Sequence, residues 1–205
     1  MKAHNYDGEF IVLEGPDGAG KSTQTGMLVD YLTDKGANIL ETKEPTEHSC
    51  GEAVYEAIED DLSPEAVSMQ FAADRLQHLE RDVEPALKEG RVVVSDRYAY
   101  SSMAYQPALQ HQKREISRQR VERLNKDIIL PDLAVLIDVD PETGLERISV
   151  RGEKTDYEEL EMQRKVRQNY HGMKDREEVV AVDGSKGLGE VHSQITETVE
   201  NFLDI

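Results

Sequence analysis

FIVLEGPDGAGKST, residues 10–23, decides the fold: an apolar, β-prone run enters a glycine-rich turn that ends on a lysine and two hydroxyls. Gly15, Gly20, Lys21 and Ser22 satisfy G-x-x-x-x-G-K-[ST], the Walker A pattern. Phe10 to Leu13 read as a buried parallel strand, and Met27, Leu28, Tyr31 and Leu32 fall at helical spacing after the turn. Glycines let successive backbone N–H groups converge on phosphate oxygens, and the helix starting at Lys21 aims its positive end at the same place. The expected nucleotide-binding segment is therefore Gly15, Pro16, Asp17, Gly18, Ala19, Gly20, Lys21, Ser22 and Thr23. Lys21 is expected to reach the β- and γ-phosphates and the Ser22 hydroxyl to ligate Mg2+.

The chain has 205 residues, a length that suits one α/β domain, residues 1–205, and is short for two. No run approaches the ~20 apolar residues of a membrane span, and MKAHNYDGEF lacks the apolar stretch of a signal peptide. A cytoplasmic protein with no membrane partner is expected. One cysteine, Cys50, excludes an internal disulfide and points to no structural zinc. The 42 acidic residues against 24 basic give a formal net charge of −18, spread along the chain. Such a field repels anionic ligands, so nucleic acid is not an expected partner. At ~1 M salt the Debye length is ~3 Å, and only local lysines and arginines would then matter. The composition therefore suggests a halophilic source, against an ordinary acidic enzyme or an acidic interaction surface.

Short apolar runs at 10–13, 38–42, 91–95, 133–138 and 179–183 alternate with helical patterns at about 21–35, 51–60, 64–89, 98–125, 141–151, 157–174 and 187–203. This alternation argues for βαβ units and a parallel sheet of five strands flanked by helices, a P-loop α/β fold. Ser63 followed by Pro64 reads as an N-cap with proline at the first helical position. SDRYAYSSMAYQ, residues 95–106, directly follows the apolar Val92-Val93-Val94. At the C-terminal edge of such a strand Asp96 is placed to hold Mg2+ or its waters, and Arg97 to grip a second phosphate. Leu124-Asn125-Lys126-Asp127 sets its aspartate one position too early for a guanine-reading N-K-x-D segment. Small size plus a second anion site points to a nucleotide kinase.

From EGPDGAGKSTQ through TKEP, SPEAVSMQFAADRLQH, DRYAYSSMAYQ and LPDLAVLIDVDPETGLERI to VVAVDGS, the chain resembles bacterial and archaeal thymidylate kinases. The resemblance implies ATP and dTMP as substrates and a homodimer. It implies that Phe71 stacks on thymine, Arg75 hydrogen-bonds a base oxygen, Arg97 holds the 5′-phosphate and Tyr105 lies under the deoxyribose. Ser102 takes the place of a small polar group near the base, and Glu44 in Glu44-Pro45 joins the substrate site. Asp17 resembles an acidic residue placed near the sugar 3′-hydroxyl and the metal. The adenine site is implied to form partly from backbone near Asp183-Gly184-Ser185-Lys186. Some relatives carry an arginine within the P-loop, where this chain has Asp17-Gly18-Ala19-Gly20. The transition-state cation is then expected from a lid at about 147–159, with Arg151 favoured and Arg147 and Lys154 as competitors. Lys43 stands where relatives commonly place arginine.

Residues Phe71 and Arg75, four apart, share a helix face, and an aromatic ring beside a fork of donors suits a base. His78 on the same helix reads as an ordinary polar residue. The acceptor would be a phosphate monoester already ionised at neutral pH, so no general base is required, and catalysis falls to Lys21, Arg97, Asp17, Arg151 and Mg2+. Two other readings stand beside the dTMP kinase: another nucleoside monophosphate kinase, and a nucleotide-binding regulatory ATPase.

Overall fold

The computed structural model describes residues 1–109, 114–149 and 157–205. In chain order the elements are β1 (Phe10–Glu14), α1 (Lys21–Asp34), β2 (Ile39–Lys43), α2 (Ser49–Glu59), α3 (Pro64–His78), α4 (Glu84–Lys88), β3 (Val92–Asp96), α5 (Ala99–Tyr105), α6 (Arg118–Leu124), β4 (Leu133–Asp138), α7 (Pro141–Ser149), α8 (Tyr157–His171), β5 (Val179–Asp183) and α9 (Leu188–Leu203). The strands form one parallel sheet in the order β2-β3-β1-β4-β5.

Strand alternation explains the layering. Phe10 and Val12 of β1 turn to one face, against Leu79, Val83, Met103, Val121, Val166 and Tyr170. Ile11 and Leu13 turn to the other, against Leu28 and Leu32 of α1 and Val191, Ile195 and Val199 of α9. Because both faces are covered, all five residues of β1 are buried. The chain leaves β1 for α1 and returns on either side of it as β3 and β4, so the C-terminal ends of these strands open a crevice at the point where strand order reverses. Glu14, Asp96 and Asp138 stand at those ends.

Ser63 caps α3 with its hydroxyl accepting from Ala66 N at 3.3 Å. The expected helix at 64–89 contains a widened π turn over Leu79–Val83, just ahead of Pro85, which has no N–H to give an ordinary i−4 bond. The expected single helix at 98–125 is corrected to two. Pro107 falls in a 3-10 turn, Gln106–Ala108, after α5, and Ser117 opens α6 by accepting from Arg120 N.

Candidate active site

The turn after β1 lines a cleft of about 540 Å3 together with Arg97, Arg147, Ile148 and Lys186 to Leu188. Gly18 has φ +75°, and a Cβ there would meet Gly144 O at 2.0 Å, so the loop lies directly on the backbone of α7. Lys21 is buried and donates from Nζ to Gly15 O at 3.0 Å and Pro16 O at 2.8 Å. Burial, helped by the positive Arg97, lowers its ammonium to a pKa of about 7 against the pull of Asp17, Asp96 and Glu14.

Ser22 Oγ donates to Asp96 Oδ2 at 2.5 Å, and Asp96 Oδ1 is buried with no hydrogen-bond partner. A hydroxyl and an orphaned carboxylate oxygen are hard donors that suit Mg2+. Among the described residues no group of three or more His, Cys, Asp or Glu could hold a metal ion. This donor set fits an ion whose remaining ligands are phosphate oxygens and water.

A second cavity, of about 400 Å3, brings together Asp17, Glu44, Phe71, Arg75, Arg97, Ser102 and Tyr105. Arg75 is 1% exposed. Its Nε and Nη2 donate to Glu44 Oε2 at 2.9 and 2.6 Å, its Nη1 to Asn125 Oδ1 at 2.5 Å, and its Nη2 to Ser102 Oγ at 3.0 Å. Of the guanidinium's donors, one N–H on Nη1 has no partner among the described residues. Gln106, also on this wall, donates from Nε2 to Ser102 Oγ while its Oε1 is buried and unpaired. Tyr105 lies with its ring 5.1 Å from the Arg97 guanidinium carbon, and its hydroxyl is buried without a hydrogen-bond partner.

The two cavities meet at Asp17 and Arg97, which line both. Arg97 has φ +73°, an unusual setting for a side chain with a Cβ. Its N–H donates to Leu13 O at 3.0 Å and its carbonyl accepts from Ser95 Oγ at 2.7 Å. Its Nη2 donates to Asp17 Oδ1 at 2.5 Å, and Gln163 Nε2 donates to the other Asp17 oxygen at 2.8 Å. Burial raises the Asp17 carboxyl, but Arg97 and Lys21 outweigh it and hold it below the usual carboxylate range. Behind Arg97, buried Glu14 accepts from Tyr98 N, Ser101 Oγ and Tyr170 Oη at 2.8, 2.6 and 2.9 Å. Burial raises its carboxyl against those hydrogen bonds.

Arg147 donates to Gly184 O at 3.0 Å and Gly18 O at 3.4 Å, which puts a cation on the nucleotide cleft. Lys186 lines that cleft, whereas Asp183, Gly184 and Ser185 form the strand end and turn leading to it. Arg151 and Lys154 lie outside the described residues. Lys43 does not enter the acceptor cavity; it pairs with Glu47 at 2.9 Å on the surface. His78 is corrected from an ordinary polar residue to a fully buried one, bonded to Glu44 and Thr42. Gln106, Asn125, Gln163 and Glu14 are further members that the sequence reading missed. Gln106 alone had a local signal, standing one residue after Tyr105 at the end of the quoted DRY segment.

Residues 13–195 match the thymidylate kinase family. A probable thymidylate kinase from Pyrococcus horikoshii is 39% identical over 205 residues, spanning 96% of this chain and 98% of its own length. Proteins of the same description from Thermococcus onnurineus and Methanococcoides burtonii are 38% and 36% identical, covering 95% and 96% of this chain and 98% of each relative. With a P-loop on a five-stranded parallel sheet and a second cavity joined to it at Asp17 and Arg97, the chain belongs to the thymidylate kinase family.

Proposed function

We propose that the chain transfers the γ-phosphoryl group of ATP to dTMP, giving ADP and dTDP. The observation that carries this reading is the junction of two unlike cavities, one a phosphate cradle and the other a largely apolar slot, at a shared Asp17–Arg97 pair. Phe71 offers the slot a stacking wall. The remaining Arg75 N–H suits an acceptor such as thymine O4, and Gln106 Oε1 suits the donor N3–H. Cytosine would present an amino group and a bare nitrogen in those places, so the pairing pattern favours thymine. Tyr105 beneath the sugar would leave no room for a 2′-hydroxyl.

Two polyanions must be held in line, and the side chains divide that work. Lys21 exchanges the Gly15 and Pro16 carbonyls for phosphate oxygens. Arg97 turns from Asp17 to the acceptor phosphate, while Gln163 keeps Asp17 facing the sugar and the metal site. Arg151 is the proposed cation for the transferring group, and Arg147, already on the cleft, is its nearest described competitor. When bound at Ser22 and Asp96, Mg2+ would neutralise charge on the ATP phosphates. A dianionic acceptor needs no base.

We also propose a cytoplasmic homodimer. Exposed Tyr55, Ile58, Leu62, Met69 and Leu76 on and between α2 and α3 support the pairing of two copies, and a single cysteine accords with a reducing compartment. A coupled assay over a panel of nucleosides and monophosphates tests the activity. ATP consumption that depends on dTMP, and far less on other monophosphates, is expected. Consumption independent of any acceptor would sink the kinase reading.

A further inference from the structure

The acceptor cavity is backed by a buried chain of hydrogen bonds that runs through His78, which is not among the residues lining either cavity. His78, at the C-terminal end of α3, is 0% exposed. Its Nδ1 lies 3.1 Å from Glu44 Oε1, and its Nε2 lies 2.7 Å from Thr42 Oγ1. Glu44 uses its other oxygen, Oε2, for both Arg75 bonds. Thr42 belongs to β2 and is paired in register with Ser95 of β3. The sheet is thereby linked through His78 and Glu44 to the guanidinium that faces the acceptor.

We infer that His78 is a positioning residue for acceptor recognition: its Nδ1–H fixes the Glu44 carboxylate, and so fixes the direction of the one Arg75 N–H left for the base. A carboxylate oxygen can only accept, so the ring hydrogen sits on Nδ1. Thr42 Oγ1 holds the other ring nitrogen, Nε2, at 2.7 Å. With Oε1 held by the ring, Oε2 alone serves Arg75, and Nη1 and Nη2 stay on Asn125 and Ser102. Without that Nδ1–H, Oε1 is a buried acceptor lacking a donor. The carboxylate then turns to meet the guanidinium with both oxygens, and Arg75 is drawn off Asn125 and Ser102. The effect falls on the base and leaves the P-loop as it was.

The inference rests on the dTMP reading of the second cavity. Three variants separate position from mere packing. In His78→Asn the amide nitrogen occupies the place of Nδ1 and keeps the donor to Glu44. In His78→Gln it reaches the place of Nε2, keeping Thr42 but leaving Glu44 unserved. His78→Ala removes both. The Ala and Gln variants are expected to raise KM for dTMP roughly ten- to hundredfold, the scale of a lost hydrogen bond to a charged group. KM for ATP should stay within about twofold, because the loss is confined to acceptor binding. The Asn variant should recover most of the dTMP affinity, measured also as Kd by calorimetry. Equal behaviour of Asn and Gln, or a fall in Tm with KM for dTMP unchanged, would overturn the inference. Should the variants not fold, nitrogen-15 spectra of the wild type decide: a proton on His78 Nδ1 is expected, and a proton on Nε2 alone overturns it. A wild type inactive toward dTMP would instead remove the functional reading itself.

Discussion

Lys21 shows what a single buried charge can report. Its pKa is lowered to about 7, chiefly by burial, while an exposed lysine titrates near ~10.4. Polyphosphate oxygens in place of the Gly15 and Pro16 carbonyls favour the charged form, so binding raises the pKa and draws in a proton. At about pH 8, ATP binding should therefore take up close to one proton, and affinity from this contact should weaken as pH rises through that value of about 7. Calorimetry in buffers of different ionisation enthalpy reads the uptake. It should vanish in Lys21→Met, and its absence from the wild type would refute the switch. Lys21 itself was plain from the Walker A spacing. Asp96 and Arg97 were legible as residues at a strand end, but their effect on the Lys21 ammonium follows only from β3 docking beside β1. Arg75 is a parallel case. Its helix face was readable, but Glu44, Asn125 and Ser102 come from three other segments and meet it only in the folded chain.

At the scale of elements, α8 does more than cover the sheet. It carries Gln163 to Asp17 and Tyr170 to Glu14, and it ties down the end of β4. There Arg167, His171 and the following Lys174 reach Asp138 at 2.7, 2.8 and 2.7 Å. Burial raises the Asp138 carboxyl, but these hydrogen bonds together outweigh it and bring the pKa to about 2. A carboxylate lowered on folding stabilises the protein above its unfolded pKa and loses that contribution as pH falls through the folded value. Asp138→Asn should therefore destabilise by about 1–2 kcal/mol near neutrality, after discounting for solvent screening at this partly open position. The gap between wild type and variant should close by about pH 2, as unfolding curves across the acid range would reveal. A gap independent of pH would mean that shape, not charge, ties α8 to β4. The strands were legible to within one residue, and for β1, β3 and β4 the reason is burial on both faces, which writes continuous apolar runs such as Val92-Val93-Val94. The break between α5 and α6 was less so. Pro107 in the 3-10 turn and the Ser117 cap separate the two pieces, while Met103 and Val121 still dock into one core.

Across the whole molecule the dominant fact is a net charge of −18 around cavities that must admit ATP and a second anion. Among the described residues the cations lining those cavities are few: Lys21, Arg97, Arg147 and Lys186 on the first, and Arg75 with Arg97 on the second. Self-repulsion among the excess carboxylates opposes compaction, and the same field slows the approach of substrate. Both effects shorten with the Debye length. Tm and kcat/KM for ATP should rise together as KCl goes from ~0.1 M to ~2 M, where screening shrinks the range of repulsion to a few ångströms. A flat or falling profile in both would discard the halophilic reading. The net charge itself is read from composition without any structure. Strand order, by contrast, is set by which strands share a crevice and had no local mark in the sequence.

Gly18 and Gly144 touch backbone to backbone. A Cβ on Gly18 would collide with Gly144 O at 2.0 Å, and one on Gly144 would collide with Asp17 O at 2.4 Å. Neither position can accept a side chain while the other holds its place. For a descendant of this sequence, moving an arginine into the loop at Gly18 is thus not a single neutral step: α7 must first withdraw, and Arg147 withdraws with it. With this packing, a side chain in the loop at Gly18 and the present seat of Arg147 on α7 are mutually exclusive.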